Sequence, residues 1–216
     1  MSGMDLTPNL ACLADRRAGL SLRERKKIRT RNAIRRATYR LIAVAGYEAA
    51  TVEQIAEAAE VSPSTVSRYF PVKEDIVLTD EYDQVMADLL RGRPAGEPPL
   101  DSLRRAVAEG LRDMLRDRPE ELRATTRLMV GVPAVRARLT EAMSATTRLL
   151  TAVLAERTGR DPAELELRVV VATVLGAFRE ALLHWGEHGF EDDLFTLVDR
   201  AMAAPRAAEG DTAARA

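Results

Sequence analysis

Cysteine occurs once, at Cys12, so the chain cannot close an internal disulfide, and a reducing, cytoplasmic setting is expected. Aromatic residues make up only 4% of the 216 positions, and no alternating β-branched stretch of any length is present, which argues against a sheet-built core. With alanine, leucine, arginine and glutamate abundant instead, the expected class is all-α. No apolar run reaches the roughly 18 residues a membrane span needs, and the N-terminus lacks the apolar core of a secretory signal, so no membrane partner is expected. Glycine-rich phosphate loops, nucleophile elbows and Cys-x-x-Cys pairs are all missing, and neither a cofactor nor a catalytic role is expected. One enzyme-like spacing remains, H-x-x-E-H at His184, Glu187 and His188. In some zinc hydrolases it places two ligands on one helical face. The flanking Gly186 and Gly189 suggest a helix end there, and histidines favoured by a helix C-terminus are the plainer alternative to a metal-dependent hydrolase.

What the chain does have is a division of charge. Residues 1–73 carry 13 Lys/Arg against 7 Asp/Glu, a balance of +6, while the remainder carries 19 against 26, a balance of −7. The basic part can exchange counterions with a phosphate backbone; the acidic part is repelled by one.

Within the basic part, the stretch from Thr51 to Phe70 reads as two short helices joined by a tight turn. Val52, Ile55, Ala56 and Ala59 form an i, i+3, i+4, i+7 stripe, and Thr51 with Gln54 fits a capping box. Glu60 and Val61 leave room only for a turn before Ser62 as N-cap and Pro63 at the first helical position. On the second helix Val66 and Phe70 point inward, leaving Ser64, Thr65 and Arg68 on an outer face that is small, hydroxylated and basic. Such a face can enter a major groove, where arginine grips guanine through two hydrogen bonds. A capped helical hairpin with a solvated face is the bland alternative.

The preceding helix, Leu22 to Ala45, is crowded with arginine and lysine, with Ile34, Thr38, Leu41, Ile42 and Ala45 as its inward stripe and Gly46 at its end. From about Arg25 to Leu78 the chain resembles the DNA-binding region of TetR-family transcriptional regulators. The residues that carry the resemblance are AVAGYEAATVEQIAEAA, VSPSTVSRYF and PVKEDIV, with the aromatic pair Tyr69 and Phe70 and the following Lys73 at the family spacing. One departure is Glu60, where many members have glycine in the turn; a side chain there costs a left-handed backbone. The residues expected to meet DNA are Arg29, Thr51, Ser62, Pro63, Ser64, Thr65, Ser67, Arg68, Tyr69 and Lys73.

The expected domains are a flexible arm over 1–20, in which Arg16 and Arg17 could touch DNA, a helix-turn-helix head over 21–75, a ligand-binding and dimerisation core over 76–204, and a disordered tail over 205–216. Helices are expected over Lys73–Leu90, Leu100–Arg118, Pro119–Val132, Pro133–Thr158, from Asp161 as N-cap to about Gly186, and from Asp192 to Ala203, about nine in all. RGRPAGEPP at 91–99 is a loop. The inward methionines are core by default, but methionine also makes an adaptable pocket wall, so Met86, Met114, Met129 and Met143, with Phe178 and Arg179, are candidate effector-pocket residues. Arg179 can meet an acidic ligand or pair with Glu180.

The helix after Asp161 is apolar around much of its circumference and carries the small residues Ala172 and Gly176. With the final helix it forms the expected homodimer interface, through Val171, Leu175, Leu182, Leu194 and Val198, as the resemblance also implies. The resemblance further implies a repressor that occupies a near-palindromic operator on double-stranded DNA and leaves when a small-molecule effector binds the core. A sequence-indifferent architectural DNA binder is the rival reading.

Overall fold

A computed structural model describes residues 21–78 and 82–213, with side chains described through 204. Every regular element among the described residues is a helix, and the chain divides into two compact units between Ile76 and Val77. The expected arm over 1–20, Arg16 and Arg17 included, lies outside the described residues.

The first unit holds α1 (Leu22–Ala45), α2 (Val52–Ala58), α3 (Pro63–Tyr69) and most of α4 (Lys73–Leu78). Ser21 opens α1 with a capping box, its hydroxyl accepting from the Glu24 amide at 3.3 Å while the Glu24 carboxylate accepts from the Ser21 amide at 2.9 Å. Gly46 closes α1 at φ 85, a backbone that glycine adopts without steric cost. Ile34 of α1, Ile55 and Ala56 of α2, Val66 and Phe70 around α3, and Ile76 of α4 form one buried cluster. The inward stripe of α1 is shorter than expected: Ile34 and Thr38 are buried, Leu41 and Ile42 are half-buried, and Ala45 in the last turn is exposed.

The second unit holds α5 (Tyr82–Arg91), α6 (Pro99–Asp117), α7 (Pro119–Gly131), α8 (Pro133–Thr158), α9 (Leu165–Glu187) and α10 (Leu194–Ala213). Prolines stand at the starts of α6, α7 and α8, where a missing amide leaves no helical bond unmade. Leu90, Leu103, Leu150, Leu154, Leu167 and Leu175 are fully buried in one cluster drawn from α5, α6, α8 and α9. Leu111, Leu122, Trp185, Leu194 and Val198 lie in a second, from α6, α7, α9 and α10. Each such side chain contributes about 1.5–3 kcal/mol relative to exposure.

An ionic network holds the loop before α6. Arg157 of α8 donates to the carbonyl oxygens of Arg93 at 2.6 Å and Pro94 at 3.0 Å. Arg93 grips both carboxylate oxygens of Glu97 at 2.8 Å, and Ser102 donates to the same carboxylate at 2.9 Å. With Arg105 also at 2.8 Å, the hydrogen bond from Arg93 and these cations hold the Glu97 carboxyl down at about 2.

The expected stretch Lys73–Leu90 is described as α4 over Lys73–Leu78 and α5 over Tyr82–Arg91, with 79–81 outside the described residues. Two helix bounds need correction. Asp161 caps a turn instead of a helix, its carboxylate accepting from the Ala163 amide at 2.8 Å, and α9 starts only at Leu165. Likewise, α10 runs through Pro205 to Ala213 rather than ending at Ala203, its alanine-rich sequence being the best helix former on either side of the proline. Val171, Leu175, Leu182, Leu194 and Val198, expected at a dimer interface, are at most 7% exposed within the single chain. An apolar helix shows from its sequence that it must be buried, but not against which neighbour.

Candidate nucleic-acid interface and ligand cavity

The turn between α2 and α3 begins with the loss of helical partners at the end of α2. The Val61 amide reaches back to the Ala56 carbonyl at 2.9 Å and the Glu60 amide to the Glu57 carbonyl at 3.0 Å, the paired bonds of a Schellman end. That geometry requires a left-handed residue after the C-cap, and Glu60 supplies it at φ 56. From α1, Arg40 donates to the Ala58 carbonyl at 3.3 Å and so satisfies one more orphan acceptor of α2.

Ser62 then caps α3. Its hydroxyl accepts from the Thr65 amide at 3.1 Å and lies 2.9 Å from the hydroxyls of both Ser64 and Thr65. Arg68, one turn further on, extends its guanidinium toward Thr65 Oγ1 at 3.5 Å and over the Tyr69 ring at 5.5 Å. Ser62, Pro63, Ser64, Ser67 and Arg68 are exposed, Thr65 and Tyr69 half-buried, and Arg29 is exposed on α1. The result is a surface of rotatable hydroxyls, which can donate to or accept from base edges, and one arginine, which donates. Thr51 is exposed as the N-cap of α2, with its hydroxyl accepting from the Gln54 amide at 3.2 Å.

Lys73 is placed differently from the rest. It is half-buried, donates to the Tyr47 carbonyl at 2.9 Å and lies 4.1 Å from the centre of the Tyr47 ring. The Tyr47 hydroxyl donates to Glu74 at 2.8 Å. Burial first, and the Glu74 hydrogen bond second, push the Tyr47 phenol well above its ordinary range. Lys73 therefore ties the loop after α1 to the start of α4. Sequence reasoning counted Arg40 only as one more cation on a helix already full of them, and gave Tyr47 no role of its own.

In the second unit, Met86, Met114, Met129, Met143, Phe178 and Arg179 all line one cavity of about 110 Å³. Leu175 and Leu182 line it too. The cavity wall also includes Tyr82, Asp83, Thr125, Leu139 and Thr146, none of which sequence reasoning placed at a pocket. Asp83 sits three residues before Met86 and so on the same helical face, a spacing that could have flagged it. Thr146 donates to the Asp83 carboxylate at 3.0 Å, so this polar pair interrupts a wall of thioether and hydrocarbon. Arg179 both borders the cavity and donates to Glu180 from Nε at 3.0 Å and Nη2 at 2.7 Å. Leu78 is a further lining residue.

His184 and His188 are exposed, with ring centroids 3.9 Å apart and His188 Nδ1 2.8 Å from the His184 carbonyl oxygen. Among the described residues, no group of three or more His, Cys, Asp or Glu side chains is placed to hold a metal ion. Nor is any described helix long and apolar enough to cross a membrane.

Comparison with known proteins agrees with this arrangement. The family profile "Bacterial regulatory proteins, tetR family" matches residues 34–79, and a TetR-type profile described as "MftR C-terminal domain" matches 97–208, more than half of the chain. Over 100 residues the chain is 45% identical to the HTH-type transcriptional regulator TcmR of Streptomyces glaucescens, a match covering 44% of each protein. Among solved structures, the Thermus thermophilus FadR, a TetR family repressor in complex with lauroyl-CoA, is 24% identical with a TM-score of 0.53, over 80% of this chain and 91% of that one. A TetR-family regulator from Rhodococcus sp. is 20% identical with a TM-score of 0.51, over 83% and 97%. At those identities the likeness establishes the fold. On the two profile matches, the second of which spans over half of its length, this chain belongs to the tetR family of bacterial regulatory proteins.

Proposed function

We propose that the protein is a sequence-specific, dimeric transcriptional repressor that reads a near-palindromic operator through α3 and releases it when an apolar small molecule occupies the cavity of the second unit. The observation that carries the reading is the outer face of α3, where Ser64, Thr65, Ser67 and Arg68 stand together above an apolar cluster that holds the helix in place. Arg29 and Tyr69 supply phosphate contacts, which fix register without reading sequence. Lys73, with its ammonium held by Tyr47, acts mainly by positioning α4.

The homodimer uses the side of α9 opposite to Val171, Leu175 and Leu182. Leu165 is 67% exposed and Val169 51%, followed along the helix by Ala172 and Thr173, both exposed. An added Cβ at Gly176 would meet nothing within 4 Å. This apolar, small-residue stripe suits close approach of a second copy. Val169→Glu should give a monomer in sedimentation experiments.

The cavity supports an effector by its chemistry: four methionines and several leucines around one acid-hydroxyl pair. At about 110 Å³ it is smaller than the roughly 300–1,000 Å³ of drug-sized sites, so a larger effector must push methionines aside, and methionine yields easily. The lauroyl-CoA bound by the Thermus FadR is a precedent for a ligand with an apolar chain. Release requires that the effector favour one geometry of the protein over another, since equal affinity for both shifts nothing.

The deciding experiment is selection of sites from a random duplex pool at fixed, near-physiological salt, then titration of the winner against a scrambled copy. A palindromic winner bound about a thousandfold more tightly is the expected result. Binding of all duplexes alike, falling only with salt, would replace this reading with the architectural one.

A further inference from the structure

Gly110 lies in the middle of α6, buried against α5. A methyl group at this position would stand 2.9 Å from Met86 Cγ and 3.9 Å from its sulfur, with Leu89 Cδ1 also at 3.9 Å. A contact of 2.9 Å forces a displacement, and the atom that must yield belongs to a flexible side chain. Met86 is itself one wall of the cavity. The missing side chain of Gly110 is therefore the space in which Met86 lies, and the position of Met86 limits the free volume on its other side.

We propose that Gly110, which does not touch the cavity, sets the size of apolar group the cavity accepts, by fixing how far Met86 withdraws from it. The inference rests on reading the cavity as a ligand site, and takes that reading further by naming a residue that tunes its selectivity. Met86 is packed into the main core of the second unit and borders the cavity, so the cavity is the unfilled space a displaced Met86 can enter. With only about 110 Å³ available, the loss of one methyl-sized volume matters.

The test uses the full chain and a graded set of probes, benzene, ethylbenzene and n-butylbenzene, whose binding is followed by calorimetry. An apolar cavity of about 150 Å³ takes up benzene, so the smallest member suits this one. The wild-type protein should bind the smaller members, and Gly110→Ala should weaken the largest accepted member by about tenfold or more, the usual penalty for one misfitted methyl group. Met86→Ala should extend acceptance to longer members, and the double variant Gly110→Ala with Met86→Ala should bind as Met86→Ala does. That last equality separates displacement of Met86 from a general loosening of the core, and the Met86→Ala arm stands even if Gly110→Ala fails to fold. Unchanged probe selectivity in Gly110→Ala, or a defect that persists in the double variant, would overturn the proposal while leaving the cavity reading intact. No binding of any probe to wild type would overturn both.

Discussion

The ammonium of Lys73 donates to the carbonyl oxygen of Tyr47 at 2.9 Å and lies 4.1 Å from the centre of the same residue's ring. One side chain thus engages both the backbone and the π face of a residue 26 positions away, at the junction of α1 and α4. Replacing it by methionine keeps the stem and removes both interactions. Lys73→Met should destabilise the head by about 1–2 kcal/mol, seen as a lower midpoint in thermal unfolding. Retention of the wild-type midpoint would return Lys73 to a simple phosphate contact.

Arg68 is exposed on α3 with its guanidinium near Thr65 Oγ1. Arg68→Ala should cost about 1–3 kcal/mol of operator affinity and relax choice at one base position, as read from competition among single-base variants of the selected site. A loss spread evenly over all duplexes would assign the side chain to phosphate instead.

Glu60 holds φ 56 in the turn, a conformation that costs a non-glycine residue about 1–2 kcal/mol. Glycine gives back about 0.5–1 kcal/mol of that gain through its unfolded-state entropy. Glu60→Gly should therefore stabilise the protein by about 0.5–1 kcal/mol in denaturant melts, without altering operator choice, since the residue lies before α3. A loss of stability would mean that the Glu60 side chain makes a compensating contribution.

The Glu97 carboxyl, held at about 2 by Arg93 foremost, titrates below its ordinary 4.5. A depressed carboxylate stabilises the fold fully above the ordinary value, and the contribution drains away as pH falls from about 4.5 toward 2. Glu97→Gln should be less stable than wild type at neutral pH, and the difference should shrink across that window in melts taken at successive pH values. A constant difference would show that packing, not charge, is what the residue supplies.

What could be read along the chain was whatever short-range chemistry decides. The bounds of α1 follow from Ser21 with Glu24 and from Gly46; those of α2 and α3 follow from Thr51 with Gln54 and from Ser62 with Pro63, because caps and prolines act within one turn of where they stand. The left-handed turn at Glu60 was legible for the same reason. The inward-facing methionines were legible as inward-facing.

Other features depend on which helix lies against which. No local signal tells that Val171 and Leu175 face this chain's own core while Leu165 and Val169 face outward, because α9 is apolar on both sides and only its neighbours choose between them. Nor could periodicity show that Met86, Met114, Met129 and Met143, from four different helices, border one void, or that Asp83 and Thr146 meet in its wall at 3.0 Å. Propensity, capping and hydrophobic period are properties of a segment, and they are written in the residues of α1 to α3. A cavity is what remains where packed helices fail to fill the space between them, and that is set by crossing angles and by close approaches such as Gly110 to Met86, which exist only once the chain has folded.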